Sequence, residues 1–237
     1  MTGKYCKGTS FFVAQEYYSP VNILYAGGQR VYSKNDAGLL QLSFYSNKTV
    51  DLLEDFYSLL NNNSCYIQYN DAPHYVNFAD GRTMFIDGGL FAANHYRSMD
   101  DDFGILPFPK YDEDDDYHTT YNAVADLGLI PITVSDAERT GAITEALCAY
   151  GSMRVVPAFY DTALKTKASR DDDSEEMIDI IKNGLVYDVG YLSGNSGLGG
   201  RGVMHNSATN VASYYAELEA SELRKVAEFN KNYAGVE

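Results

Sequence analysis

Phe78-Ala79-Asp80-Gly81-Arg82-Thr83-Met84-Phe85-Ile86-Asp87-Gly88-Gly89 sets a short apolar run between a polar turn and paired glycines. The pattern predicts strand from residue 78 onward, with 83–86 as a buried strand. A strand that stops at paired glycines lets the following backbone approach a ligand closely. Asp87, Gly88, Gly89 and, one step further, Phe91 are therefore the best placed candidates for ligand contact. The next segment, Phe103-Gly104-Ile105-Leu106-Pro107-Phe108-Pro109, reads as extended, because each proline disfavours helix in the residue before it. The acidic run at 112–116 then reads as a solvated loop.

Working upstream, Tyr18-Ser19-Pro20-Val21-Asn22-Ile23-Leu24-Tyr25 has a helical pattern and runs into Gly27-Gly28, a stop at which glycine can turn left-handed. Tyr25 and Gly28, beside that turn, join the candidate binding residues. Lys34-Asn35-Asp36-Ala37-Gly38 is a polar turn before an alternating strand, Leu40-Gln41-Leu42-Ser43-Phe44. Ser46 can cap a helix whose Val50, Leu53, Phe56, Tyr57 and Leu60 recur at helical spacing before Asn61-Asn62-Asn63.

Downstream, Leu127-Gly128-Leu129-Ile130-Pro131-Ile132 reads as a strand. Ser135-Asp136-Ala137-Glu138 reads as a capping box opening a helix that turns Ile143, Ala146 and Leu147 inward. Ser174 is expected to cap a further helix carrying Met177, Ile178 and Ile181 and ending at Asn183-Gly184. A loop with six glycines spans 190–202, and 208–233 has the composition of a long terminal helix. The order is α/β without an internal repeat.

The 237 residues are 45% hydrophobic and 22% charged, enough to bury a full core, and no apolar run reaches membrane-spanning length. A net charge of −15 argues against nucleic acid, whose phosphates need a clustered cationic face. Cys6, Cys65 and Cys148 are too widely spaced for a zinc site or a disulfide framework and read as buried thiols. Tyr is abundant, at 21 residues, and its ring and hydroxyl suit wet binding clefts.

No motif points to catalysis or to a cofactor. The 112–116 run fails as a calcium loop, since Tyr117 stands where glycine is needed and Ala123 where glutamate is needed. His74, His95, His118 and His205 fall in no metal spacing. The Gly197-Leu198-Gly199-Gly200-Arg201-Gly202 loop lacks the lysine of a phosphate-binding loop.

Phe78-Ala79-Asp80-Gly81-Arg82-Thr83-Met84-Phe85 resembles the "F-x-x-G-[KR]-x-x-[MF]" strand entry of family 1 extracellular solute-binding proteins. Met99-Asp100-Asp101-Asp102-Phe103-Gly104-Ile105-Leu106-Pro107-Phe108-Pro109-Lys110-Tyr111-Asp112-Glu113 resembles the "DFGILPYPKYDE" signature of one branch of that family. Val156-Pro157-Ala158-Phe159-Tyr160-Asp161, Arg170-Asp171, the 174–181 stretch and Tyr187-Asp188 extend the likeness, which covers about residues 20–188.

The resemblance implies a type II periplasmic-binding-protein-like fold, two α/β lobes joined by hinge strands with the solute between them. This chain would be its carboxy-terminal half, with an incomplete first lobe. On that basis 1–126 form the second-lobe core, 127–155 a hinge strand and helix of the first lobe short of their usual sheet partners, and 156–237 a helical return to the second lobe. The implied function is extracellular capture of a small solute, a sugar or oligosaccharide, for an ABC importer's permease, without catalysis, cofactor or metal. Membrane attachment would run through a lipid anchor outside this chain. The family often places Trp just after the paired glycines, where this chain has Leu90 and then Phe91. The alternatives are a carbohydrate-processing enzyme domain, which needs a carboxylate pair in a cleft, and a structural interaction domain with none.

Overall fold

A computed structural model of the chain describes residues 10–15, 19–61, 64–68, 74–96, 98–121, 128, 130–160, 172–192, 197–199, 203 and 210–233. The protein is mixed α/β. Strand β1 (Ser10–Gln15) lies at the centre of a three-stranded parallel sheet between β4 (Cys65–Gln68) and β5 (Thr83–Ile86). Parallel neighbours need long crossovers. The first passes through helix α1 (Ser19–Ala26), the hairpin β2 (Tyr32–Lys34) and β3 (Leu40–Leu42), and helix α2 (Asn47–Leu60). The second uses α3 (His74–Ala79) and returns the chain to the opposite flank of β1.

Local chemistry explains these boundaries. Ser46 caps α2, its hydroxyl accepting from the Thr49 amide at 3.0 Å. Asn35 turns the hairpin, its side-chain oxygen accepting from the amides of Ala37 and Leu39, each at 3.0 Å. Gly28 takes a φ of +76° after α1, as the glycine stop requires. Phe78 lies within α3 rather than on a strand, so the strand pattern begins five residues later than expected, at Thr83. That strand is not a buried run either: Thr83 is buried, but Met84 and Phe85 are exposed on β5, an outer strand among the described ones.

The main core gathers Tyr25, Phe44, Leu53, Phe56, Leu198 and Val211, so residues before 127 and after 155 share it. A second cluster unites Ala92, Ala93 and Tyr96 of the 3₁₀ helix Leu90–Tyr96 with Phe103 and with Ile178 of α5 (Asp172–Asn183). α5 starts at Asp172, so Ser174 does not cap it; its hydroxyl accepts from the Ile105 amide at 2.8 Å and ties the proline-rich segment down. Strands β6 (Thr119–Thr120) and β7 (Leu185–Val186) pair in parallel, and the short helix α6 (Val189–Leu192) follows. The final helix α7 (Val211–Tyr233) lies along the hairpin, where the Asn230 side chain exchanges hydrogen bonds of 2.9 and 2.8 Å with the backbone of Leu40. Glu222 of α7 is fully buried and accepts from the Tyr32 hydroxyl at 2.5 Å, the Gly197 amide at 3.1 Å and Lys225 Nζ at 2.7 Å.

Helix α4 (Ala137–Tyr150) departs most from expectation. Its cap is Asp136 rather than Ser135, the carboxylate accepting from the Arg139 amide at 2.9 Å. Ile143, Ala146 and Leu147, expected inside, are exposed, and α4 has no buried residue. Of the strand expected at 127–132, residues 127 and 129 lie outside the described set, and Ile130, Pro131 and Ile132 are irregular, with Ile132 fully exposed. A strand needs a neighbour to satisfy its backbone, and none of the described strands reaches this segment. Cys148 is exposed and Cys65 half-buried, so the expectation of buried thiols fails for Cys148; Cys6 lies outside the described residues. No helix among the described residues is long and apolar enough to cross a membrane.

Candidate functional site

In an open parallel sheet, ligands bind outside the carboxyl ends of strands where successive crossovers leave toward opposite sides. Here that place lies past the ends of β1 and β5, since the chain leaves β1 toward β4 and later returns to the other flank. α1 begins there. Buried Ser19, its first residue, donates its hydroxyl to Asp87 Oδ2 just past β5. A carboxylate at a helix amino terminus is also favoured by the helix dipole. Asp87 is thus buried, and one carboxylate oxygen is engaged by the helix start.

Gly88 and Gly89 are exposed beside it. A Cβ built on Gly89 would sit 2.8 Å from the Phe91 ring, so the glycine is what lets that ring lie against the backbone. Phe91 is 52% exposed and meets His95 edge-on with ring centroids 6.3 Å apart. The end of β5 therefore offers one accessible aromatic face and accessible backbone.

A second group forms at the other end of α1. The parallel register pairs Thr120 with Val186, which places the next residues, Tyr121 and Tyr187, side by side. Their rings stack at 4.9 Å and 23°. Tyr191 of α6 approaches Tyr121 at 5.8 Å and Tyr25 at 6.0 Å, and the Arg30 guanidinium lies 5.2 Å over the Tyr25 ring. Thr120 fixes the β6 side by donating to Asn22 Oδ1 of α1 at 2.7 Å.

Asp188 organises this end. Its buried carboxylate accepts from the amides of Val31 at 2.8 Å, Tyr32 at 3.4 Å and Gly190 at 2.7 Å, joining the turn after α1 to the start of α6. Tyr25 is 1% exposed, and its hydroxyl meets no partner at hydrogen-bond geometry among the described residues. Burial first, and then the Asp188 carboxylate, hold that hydroxyl far above its ordinary titration range, against the opposing charge of Arg30. Burial also pushes the Tyr121 hydroxyl up, with Asp188 adding to it, and lowers Arg30. His118, whose ring lies 3.8 Å from where a Gly28 Cβ would be, is held below its usual range by burial and then by Arg30.

The candidate residues thus fall into two groups. Tyr25 and Gly28 sit at the carboxyl end of α1; Asp87, Gly88, Gly89 and Phe91 sit at its amino end. The rise of about 1.5 Å per residue over an eight-residue helix separates them by about 10 Å. Phe91, Gly88 and Gly89 are accessible, whereas Tyr25 is core, held beneath Tyr191 and Arg30. Sequence reasoning passed over Arg30, Tyr121 and Tyr191 as site residues and used Tyr187-Asp188 only as part of the resemblance. The available signal was the run Tyr187-Asp188-Val189-Gly190-Tyr191, an Asp followed two residues later by an amide it can cap, flanked by aromatics.

The acidic run is a loop anchored by lysines. Lys48 Nζ is 2.7 Å from Asp115 and 5.0 Å from the Tyr111 ring, and Lys110 donates to the Glu113 carbonyl at 2.6 Å. The hydrogen bond from Lys48 holds Asp115 below the usual carboxylate range. Among the described residues no three His, Cys, Asp or Glu side chains gather as metal ligands would. Compared with known proteins, the chain matches no family model and no curated protein.

Proposed function

We propose that this chain captures a small neutral solute, a sugar or oligosaccharide, outside the cell and presents it to an ABC importer without changing it chemically. In this reading the chain supplies mainly one wall of a two-lobed, hinged trap of the periplasmic-binding type, with residues 127–155 contributing to the other lobe. Ligand contacts close the trap, and the permease recognises the closed form. The full-length protein is held at the cell surface by a lipid anchor.

The observation that carries the reading is the paired Tyr121 and Tyr187 rings at the end of β6 and β7, with Tyr187 67% exposed. A flat aromatic face beside fixed polar groups is what a pyranose ring and its hydroxyls need. Phe91 offers a second such face at the strand end. The sequence likeness over residues 20–188 supports the same reading.

Calorimetric titration with a panel of neutral mono- and oligosaccharides tests it. The expected result is weak, saturable binding, because one wall of the trap contributes part of the contacts. Its loss in Tyr187→Ala assigns contact to the tyrosine end, and its loss in Phe91→Ala assigns it to the strand end. Tight binding by this chain alone, or binding that neither substitution changes, refutes the half-cleft arrangement. Turnover of a chromogenic glycoside refutes the non-catalytic reading.

A further inference from the structure

β6 and β7 pair over two residues each, and Tyr121 and Tyr187 stand one step beyond the last pair. So short a ladder is marginal by itself. Packing holds Tyr187 little, since it is 67% exposed. Its ring nevertheless keeps a near-parallel stack on Tyr121. Some contact beside the ladder sets the two rings.

The hydrogen bonds at this end lead to Asp188, the covalent neighbour of Tyr187. Its backbone carbonyl accepts from the Tyr121 hydroxyl at 3.4 Å and from the Tyr191 amide at 3.1 Å. Its carboxylate reaches the turn after α1: Oδ2 accepts from the amides of Val31 and Tyr32, while Oδ1 accepts from Gly190. Val31, 1% exposed, belongs to the main core, so the three rings are tied through one residue to the rigid part of the protein. An ionised acceptor makes hydrogen bonds about twice as strong as a neutral one. Gly190 completes the junction, because a Cβ there would lie 2.9 Å from Val31 Cβ and 3.1 Å from Asp188 Oδ1.

We propose that Asp188 is the positioning residue of the tyrosine face, fixing Tyr121, Tyr187 and Tyr191 at the tilt on which a flat sugar ring can lie. Being buried, it touches no solute itself. A face that must be ordered at the moment of binding loses affinity to that ordering, and a face held in advance does not. The consequence for binding rests on the solute-capture reading; the ring geometry does not.

Fluorine NMR of the full chain labelled with 3-fluorotyrosine tests it, with signals assigned by Tyr→Phe changes at 45, 121, 187 and 191. Calorimetry with neutral mono- and oligosaccharides, maltose, cellobiose and lactose among them, accompanies it. In Asp188→Asn the signals of Tyr121, Tyr187 and Tyr191 are expected to move while that of Tyr45 stays. Affinity for the sugar that the wild type binds falls about tenfold, the order of one aromatic contact. Gly190→Ala, which presses on the same junction from the other side, is expected to give the same pattern. Asn230→Ala, which frees the hydrogen bonds between α7 and Leu40, lowers the melting temperature and leaves the three signals and the affinity unchanged. Unmoved signals in Asp188→Asn overturn the proposal, as does a shift of every tyrosine, the mark of general loosening. Moved signals with unchanged sugar affinity overturn the role in binding. Moved signals in a chain whose wild type binds no sugar of the panel support the positioning and overturn the solute reading instead.

Discussion

Replacing Asp188 by Ala strips the acceptor from the amides of Val31 and Gly190, now held at 2.8 and 2.7 Å inside the protein. Two buried donors left without partners make this a change of about 3 kcal/mol, read from urea unfolding, with Asp188→Asn costing less because one side-chain oxygen remains. His118 gives a pH dependence of known sign. Its folded-state titration lies below the ordinary value of 6.5, chiefly through burial. The unfolded chain therefore takes up the proton first on acidification, and stability falls as the pH drops through about 6.5 toward the folded value. The melting temperature of His118→Gln is expected to vary less than that of the wild type between about pH 5 and 7. At the alkaline end, burial and then Glu219 push Tyr215 up to about 12, so its hydroxyl stays protonated above the ordinary tyrosine value of 10.0. Such details escape the sequence, because burial and the leading charges, Arg30 for His118 and Asp188 for Tyr25, come from residues distant along the chain.

Among the elements, α2 was largely legible: Ser46 caps it, and Leu53, Phe56, Tyr57 and Leu60 face the core as expected, while Val50 is only partly buried and Thr49 and Leu52 are buried beside them. Ser46→Ala is expected to cost about 1 kcal/mol in a thermal or urea melt, the ordinary value of such a cap. Gly27 makes a sharper demand, since a Cβ there would overlap the Leu52 side chain of α2. Gly27→Ala must displace the Leu52 side chain from its place between α1 and α2, at a cost of about 1 kcal/mol by the same measurement. α4 was misread for an equally physical reason. Apolar residues at helical spacing establish that a face wants cover, but the pattern carries no information on whether the rest of the chain supplies it. The cap moved from Ser135 to Asp136 because adjacent residues with similar side-chain acceptors compete for one role.

Taken together, a chain of 237 residues with a charge of −15 folds against its own repulsion. Raising the salt concentration from low ionic strength toward about 0.5 M is expected to raise the melting temperature, because screening weakens that repulsion more than it weakens exposed ion pairs. Composition and periodicity were enough to establish a mixed α/β protein, to place α1, α2 and α5 within a few residues, and to mark the 83–89 stretch as a strand ending in accessible glycines. These are local properties, written in side-chain spacing, capping chemistry and backbone freedom over a dozen residues. The sequence reading left undecided that β5 is an outer strand among the described ones, that Asp87 is claimed by Ser19, and that Tyr121, Tyr187 and Tyr191 converge around Asp188. It also gave no hint that Glu222, one more glutamate in a polar helix, would be fully buried and hydrogen-bonded to Tyr32. Each of those facts joins residues about 60 to 190 positions apart. They are set by how parallel strands and their crossovers close on one another, an outcome that no local window of sequence contains.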